Sequence, residues 1–282
     1  MARLGRCGLP FAHRSDYLHP MTDRIARLDS RALVRVTGPD ARPFLHNLLT
    51  QDVETIRPGE VRFGAMLSPP GRLLFDLFLW GEEDGVVLDV AADRREALMA
   101  RLSMYRLRAQ VEIAADDRPV LASWPGVADR FAPDPRLAAL GGRAIGDRTP
   151  DADEDAWEAH RLALGVPDPA RDGGHDTAYP IEANFDLLNG IDFKKGCFVG
   201  QETTSRMKRR GEIKKRMVPI AFDGPPPAPG SELLNGDLRA GEVLSGREGG
   251  AMALVRLDRL EGTLTAEGRP MTARLPGWLT DH

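Results

Sequence analysis

The sequence is poor in cysteine and has no long hydrophobic run, and both shortages narrow the kind of protein that it encodes. Cys7 and Cys197 are the two cysteines among 282 residues, too few for a disulfide framework and without the C-x-x-C spacing of a paired metal site. No segment approaches the roughly 18 to 20 uninterrupted apolar residues of a membrane-spanning helix. The composition therefore predicts a globular, cytoplasmic protein whose thiols stay reduced.

An excess of positive charge is also missing. The net charge is −4 and the isoelectric point is about 5.9, whereas a protein whose whole surface is built for nucleic acid usually carries a basic excess. Direct nucleic acid binding is therefore not expected of the chain as a whole. The length allows one large domain or about two to three small ones.

The N-terminal residues 1–20 lack both the apolar core of a secretory signal and any clear periodicity. We expect a disordered extension here, with Cys7 inside it and without a role. A transit peptide is the alternative, and Met21 would make an equally good start.

Residues 31–113 predict a layer of strands and helices. The strands are expected at 32–36, 61–67, 73–80, 86–90 and 110–113, with a turn at 68–71. One helix is expected after an Asp40 N-cap and a second after an Asp93 N-cap. Their apolar positions at helical spacing are Phe44, Leu45, Leu48 and Leu49 in the first, and Ala97, Leu98, Leu102 and Tyr105 in the second. This mixture favours an α+β class over alternating βαβ units.

The second half of the chain shows weaker periodicity. Residues 115–150 are predicted to be the loosest part of the body apart from a strand at 120–124, and a helix is predicted at 154–164, followed by an exposed loop at 165–179. The proline-rich stretch 224–230 cannot lie inside a helix or strand. Beyond it, short strands at 242–244, 251–257 and 263–266 predict a small β-barrel or sandwich.

Lysine is scarce and confined to one place. All five lysines lie within residues 194–215, and the run 194–216 holds nine basic residues against two acidic ones. The nine are Lys194, Lys195, Arg206, Lys208, Arg209, Arg210, Lys214, Lys215 and Arg216. Such a run is either a solvated face or an anion site that attracts phosphates, polyglutamate tails or RNA.

Cys197 lies inside this run. Nearby ammonium groups and the start of a helix both favour the thiolate, which is the reactive form of cysteine. The sequence predicts such a helix from 201 to about Arg210, ended by Gly211. The alternative for Cys197 is a small buried apolar side chain.

The residues around Cys197 resemble a known family. K-G-C-F-V-G-Q-E at 195–202 is similar to the signature of the YgfZ family, folate-binding proteins related to the T-protein, or aminomethyltransferase, of the glycine cleavage system. The resemblance extends over most of residues 21–282, through the segments 38–40, 49–52, 69–72, 105–108, 180–184 and 190–193. Family members are linked to assembly or repair of iron–sulfur proteins, and through iron–sulfur enzymes to tRNA modification.

The resemblance implies a T-protein-like folate-binding fold with a ferredoxin-like insertion and a C-terminal β-barrel. The implied folate-binding domain is discontinuous over 21–212, with the insertion at about 52–115, and the barrel covers 213–282. The implied cofactor is tetrahydrofolate or a one-carbon derivative. In T-protein relatives a glutamate equivalent to Glu182 binds the pterin, and a carboxylate suits the amino-pyrimidine edge.

The residues implied to act on folate or on the substrate form two groups. The cofactor-binding group is Glu182, Asn184, Arg106, Arg108, Lys195 and Gln201, and the catalytic group is Cys197 and Asp76. No metal ligand is expected. Glu182 could instead be a surface carboxylate, Asp76 could lie on the polar face of a half-buried strand, and the two arginines could cover a sheet edge.

Three functions follow, in descending order. The first is a tetrahydrofolate-binding factor that assembles or repairs iron–sulfur enzymes through Cys197, with client proteins or the assembly machinery as partners and no membrane. A single cysteine suits transient ligation better than cluster storage, which usually needs three or four thiolates. The second is a folate-dependent aminomethyl or one-carbon transferase. The third, an RNA-binding module at 206–216, lacks the interleaved aromatics of base stacking.

Overall fold

A computed structural model describes residues 23–211 and 213–280. The predicted extension 1–20, with Cys7, and Met21 lie outside the described residues. The strands in chain order are β1 Arg24–Arg27, β2 Arg31–Thr37, β3 Val61–Leu67, β4 Leu73–Glu82, β5 Gly85–Ala91, β6 Glu112–Asp116, β7 Val120–Trp124, β8 Ala132–Pro133, β9 Gly142–Ile145, β10 Lys215–Ala221, β11 Glu232–Asn235, β12 Leu238–Arg247, β13 Gly250–Arg256, β14 Leu264–Ala266 and β15 Arg269–Ala273. The helices are α1 Ala41–Leu48, α2 Arg95–Arg106, α3 Glu154–Ala163, α4 Gln201–Arg210 and α5 Gly277–Thr280.

A five-stranded antiparallel sheet, in the order β3-β4-β5-β2-β6, carries α1 and α2 on one face. Successive side chains of a strand point to opposite faces, so Leu77 and Leu79 of β4 pack under the helices. Asp76 and Phe78 point to the other face, toward the centre of the molecule. The sheet therefore separates the helices from the central core.

The central core joins this sheet to a second one with the order β1-β7-β9-β8. It also contains α3 and the long connection between α3 and α4, and its largest members include Phe63, Phe78, Trp124, Trp157 and Phe185. The strand predicted at 120–124 is confirmed as β7, whereas the prediction that the rest of 115–150 is loose was wrong at β9, which is nearly wholly buried. β8 and β9 could not be predicted from the sequence, because they are short and carry Pro133, Gly142 and Arg143 in place of an alternating apolar pattern.

The predicted caps and one strand boundary differ from the structure. Asp40 and Asp93 precede their helices but neither side chain caps one. The Asp40 carboxylate instead accepts a hydrogen bond from the Gln110 backbone N–H at 2.7 Å. The strand expected at 110–113 begins two residues later as β6, a half-exposed edge strand whose apolar pattern is weak.

The segment 165–179 was predicted to be exposed, and this was wrong for most of its length, because only Gly173, Asp176 and Thr177 are exposed. Asp172 is fully buried. Its carboxylate can be buried because Arg161 of α3 lies 3.1 Å from it and Ser245 of β12 donates a second hydrogen bond to it. Ion pairing allows this polar segment to be buried, and composition alone does not reveal such a pair.

The C-terminal strands form a closed barrel in the order β10-β13-β12-β11-β14-β15, with its own apolar core. The predicted barrel after the proline-rich stretch is confirmed. The sheet under α1 and α2 draws its strands from residues 31–116, and the proposed domain boundaries at 52, 115 and 212 stay a prediction.

Candidate functional site

The loop that carries Cys197 is held by hydrogen bonds from the residues on both sides of this cysteine. Cys197 is exposed and forms no disulfide. On one side, the Lys195 ammonium donates to backbone carbonyls at the C-terminal end of α1, including that of Leu49 at 2.9 Å. On the other side, the Val199 N–H donates to the Asn47 carbonyl at 3.3 Å. The sulfur is thus accessible on a backbone of defined position.

Lys195 anchors its loop to the C-terminal end of α1. Its ammonium reaches the carbonyls of His46 and Leu49, which α1 leaves without intrahelical partners. Burial lowers the pKa of Lys195 to about 8, although Asp52 and Asp192 act in the opposite direction. The side chain proposed from the sequence to bind folate is therefore engaged with backbone.

The start of α4 packs directly on the turn between β3 and β4. Gly200 has a φ of +81°, and a Cβ added there would lie 2.6 Å from the Ser68 carbonyl oxygen. A Cβ on Gly71 would lie 2.9 Å from Cβ of Thr203. Both glycines permit a close backbone approach that other residues would prevent, and the Cys197 loop is thereby pressed against this turn.

Glu182 approaches the same turn from another direction. Its Oε2 accepts the Tyr179 backbone N–H at 2.9 Å, while Oε1 forms no hydrogen bond with the described residues. The Tyr179 ring lies 4.0 Å from the Arg72 guanidinium, and Arg72 directly follows Gly71. The turn segment 69–72 thus contacts the start of α4 directly and is linked to Glu182 through Tyr179. Arg72 and Tyr179 are the two members of this site that sequence reasoning did not name as site residues.

Asn184 and Gln201, two of the other proposed folate ligands, differ in whether their side chains already have partners within the protein. Asn184 is fully buried, donates to the Met217 carbonyl at 2.8 Å and accepts from Arg216 at 2.9 Å, so it joins the body to the barrel. Gln201 is half-buried at the first position of α4, and its side chain forms no hydrogen bond with the described residues.

Arg106 and Arg108 lie elsewhere. Both are exposed at the end of α2, which covers the sheet face opposite the central core, whereas the segment of Glu182 packs into that core. Neither guanidinium forms a hydrogen bond or ion pair with the described residues. The structure does not bring them together with Glu182.

Asp76 is buried, with 2% of its surface exposed. Its Oδ2 lies 2.8 Å from Nη1 of Arg31 and its Oδ1 lies 2.8 Å from Nε2 of His175. Burial alone would raise the pKa of Asp76, but the Arg31 charge and the His175 hydrogen bond outweigh it, and the pKa is held well below its usual range. The carboxylate is permanently ionised near neutrality, with both oxygens occupied.

The Asp76 pair belongs to a larger buried network that we call the central ion cluster. Arg31 pairs with Asp89 at 2.6 Å within the five-stranded sheet, and Arg143 of β9 pairs with Asp89 at 2.7 Å and so links the two sheets. Three of its guanidinium carbons lie over the Phe78 ring, at 3.7 Å, 4.8 Å and 5.5 Å. Its members are Arg31, Asp76, Asp89, Asp134, Arg136, Arg143 and His175. In the sequence, Arg31, Asp76 and Asp89 are charged residues within the mostly apolar strands β2, β4 and β5. Their partners could not be identified from the sequence, because they lie far away along the chain.

The basic run divides into buried and exposed members. Arg216 is buried against Asp186, and Lys195 is half-buried. The other seven are exposed and form the cationic strip, which consists of Lys194, Arg206, Lys208, Arg209, Arg210, Lys214 and Lys215. Within the described residues, the strip has ion pairs at Arg206–Glu202 and at Lys208–Asp186, the latter at 3.5 Å.

Residues 23–211 and 213–280 contain neither a metal-ligating cluster nor a membrane-spanning helix. No group of three or more His, Cys, Asp or Glu side chains is placed to hold a metal ion there. In the same part of the chain, every helix is too short or too polar to cross a bilayer.

Comparison with known proteins identifies the family. The chain is 31% identical over 301 residues to the human mitochondrial iron–sulfur cluster assembly factor IBA57, covering 89% of this chain and 84% of the human protein. The chain belongs to the IBA57 family. A Neurospora crassa homologue in the family is 31% identical over 244 residues, covering 72% of this chain and 55% of that protein. Residues 214–281 match the CAF17 C-terminal β-barrel domain.

A solved structure has the same fold. The glycine cleavage system aminomethyltransferase T from Bartonella henselae superposes with a TM-score of 0.72 at 19% identity, covering 90% of this chain and 85% of that one. The predicted T-protein-like α+β fold with a C-terminal β-barrel is confirmed. The predicted kinship with iron–sulfur assembly factors is likewise confirmed. The names of the IBA57 relatives place those proteins in mitochondria, whereas the composition here predicted a cytoplasmic protein.

Proposed function

We propose that this protein binds reduced folate and acts in assembly or repair of iron–sulfur enzymes through Cys197. The observation that carries the proposal is the β3–β4 turn, which contacts the start of α4 beside the exposed Cys197 loop and, through Arg72 and Tyr179, the segment of Glu182. The membership of the IBA57 family supports the iron–sulfur part. The aminomethyltransferase-like fold supports the folate part.

The residues at this place fit a folate in part. Glu182 is half-buried with Oε1 unbonded among the described residues, so its carboxylate can accept N–H bonds from the amino-pyrimidine edge of a pterin. The Gln201 side-chain amide, at the first position of α4, forms no hydrogen bond with the described residues and can contact a ligand. Asn184 does not fit, because both ends of its amide are used within the protein. When bound, tetrahydrofolate supplies a reduced one-carbon carrier.

Cys197 acts as a transient ligand in this proposal. Because a stable cluster usually needs three or four thiolates, a partner protein supplies the remaining ligands. The Cys197 thiolate forms its bond to iron as one thiolate of the donor protein leaves, so the exchange involves no net oxidation or reduction. The partners are the assembly machinery and client enzymes, among them iron–sulfur enzymes that modify tRNA. We retain a cytoplasmic location as part of the proposal.

Calorimetry with tetrahydrofolate tests the folate site. Glu182→Ala should weaken binding at least several-fold, because a lost charged hydrogen bond is worth about 1.5 to 3 kcal/mol. Glu83→Ala, at an exposed glutamate of the β4–β5 turn, should bind as the wild type does. Unchanged affinity in a folded Glu182→Ala variant would remove Glu182 from the site.

Complementation of cells that lack the protein tests Cys197. Cys197→Ser is nearly isosteric, so folding and folate affinity should stay intact. The variant should nevertheless fail to restore iron–sulfur enzymes, including those that add methylthio groups to tRNA. Cys197 should also alkylate readily with iodoacetamide, since its side chain is exposed. Full rescue by the serine variant would show that the Cys197 thiol is not required for this function.

A folate-dependent one-carbon transferase is the second candidate, and the aminomethyltransferase-like fold favours it. Asp76 argues against it, because both carboxylate oxygens are held by Arg31 and His175 in a buried cluster. An assay for methylene-tetrahydrofolate formation from an aminomethyl donor separates the two candidates. Robust turnover that a folded Asp76→Asn variant lacks would place the transferase first.

A further inference from the structure

We infer that the cationic strip binds the polyglutamate tail of folate, so that the protein prefers folylpolyglutamates to the monoglutamate. This inference rests on the proposed folate site and adds the ligand class that the site selects. It gives a role to the exposed cations of the strip, which have no part in the roles proposed for Glu182 and Cys197.

Among the described residues, few acidic side chains neutralise the charge of the strip. Lys194, Arg209, Arg210, Lys214 and Lys215 form no ion pair with the described residues. The whole chain carries a net charge of −4, and the buried arginines of the central ion cluster are paired with aspartates. Seven exposed cations in so acidic a chain produce a local positive field that attracts a polyanion.

The strip adjoins the Glu182 site. The Lys208 ammonium lies 3.5 Å from Asp186, which follows Glu182 by four residues in the same turn-rich segment. At the other end of α4, Thr203 packs against Gly71, the neighbour of Arg72. A folate whose pterin contacts Glu182 therefore has α4 beside it, within reach of a flexible glutamate tail.

The chemistry of the strip fits such a tail. Each added γ-linked glutamate carries one carboxylate, and several carboxylates on a flexible chain match several exposed side chains without one fixed geometry. Lysine ammonium groups are hydrated point charges that suit this type of contact. RNA fits less well, because residues 199–216 contain no aromatic residue for base stacking, and the exposed Phe193 at the Lys194 end already has the Lys208 ammonium 5.6 Å from its ring.

Calorimetry at low salt with tetrahydrofolate monoglutamate and pentaglutamate tests the inference. The wild type should bind the pentaglutamate about tenfold more tightly, and the ratio should fall toward one as salt screens the exposed charges. The double variant Arg209→Gln/Arg210→Gln should lower the ratio and leave monoglutamate affinity unchanged. The matched double variant Arg57→Gln/Arg130→Gln, at exposed arginines outside the strip, should keep the wild-type ratio.

The possible failures are distinct. Equal affinity for both folates in the wild type would overturn the inference and leave the folate site standing. Binding of neither folate would overturn the proposed folate function and the inference with it. Tight binding of a single-stranded oligouridylate that needs Arg209 and Arg210, with no preference for the pentaglutamate, would overturn the inference and make the strip an RNA site.

Discussion

At the scale of single residues, Asp76 illustrates how partners reverse the effect of burial. The lowered pKa of Asp76 means that its ionised form stabilises the folded protein. That contribution is fully present above the unfolded value of about 3.9 and is lost as the pH falls through the lower folded value. The stability should therefore decline in acid partly because this carboxylate becomes protonated.

Asp76→Asn should lower the free energy of unfolding at neutral pH by about 3 to 5 kcal/mol, because Arg31 keeps its buried charge and loses one partner. Below about pH 4, the stability of the variant should also fall less steeply than that of the wild type. Denaturant unfolding at several pH values measures both effects. Asp84→Asn, at an exposed ion pair with Arg35, is the control. An equally steep acid decline in Asp76→Asn would show that Asp76 does not titrate as described.

Lys195 offers a second test at this scale, because burial lowers its pKa to about 8. Its folded form releases a proton between about pH 8 and the ordinary lysine value of about 10.4, so its contribution to stability rises with pH across that window. Competitive acetylation followed by mass spectrometry should give Lys195 a titration midpoint near 8, with N-acetyl-lysine amide as the reference. A midpoint above 10 would contradict the burial of its ammonium.

At the scale of elements, most strands and helices could be predicted because their apolar spacing is regular. β7 was predicted with its exact bounds at 120–124, and α4 with its end at Gly211. The predicted Asp40 cap failed because Asp40 bonds to Gln110, a partner that lies 70 residues away. Local patterns give an element its place, but the partner of a polar side chain depends on the tertiary fold.

Gly196 and Gly200 form a matched pair for testing the packing of the Cys197 loop. Both have positive φ, +99° and +81°, but an added Cβ meets no atom within 4 Å at Gly196 and lies 2.6 Å from the Ser68 carbonyl at Gly200. Alanine at either position should cost about 1 to 3 kcal/mol of backbone strain. Gly200→Ala should be the more destabilising in denaturant unfolding, because the β3–β4 turn must also shift. Equal losses would show that the turn does not restrain α4.

At the scale of the whole molecule, the sequence resemblance predicted the fold, while the residues alone predicted a sheet layer and a barrel. The contact of the β3–β4 turn with both the Glu182 segment and the start of α4 could not be foreseen from the residues alone, although the resemblance implied that Glu182 and Cys197 serve one folate. The central ion cluster was also not foreseen, because its members extend from Arg31 to His175. Both features arise from long-range contacts that have no periodic signature in the sequence.

The junction between body and barrel depends on Arg216 of β10. Its guanidinium donates to the Ile181 carbonyl, to Asn184 at 2.9 Å and to both oxygens of Asp186. Met217, the next residue, packs in the central core, so body and barrel share apolar contacts as well. The two parts should therefore unfold together in the wild type.

Arg216→Met should destabilise the protein by about 3 to 5 kcal/mol, because Asp186 is left buried with a weakened partner set. The loss should also loosen the connection before β10, so trypsin should cleave faster at Lys214 and Lys215. Arg256→Met, at a more exposed ion pair with Asp258 on the same barrel, should leave both the melting temperature and the cleavage rate nearly unchanged. Thermal unfolding and timed proteolysis measure the two effects. If Arg216→Met melts and resists trypsin as the wild type does, the barrel is held instead by the shared apolar core and by the contact between Ser245 and Asp172.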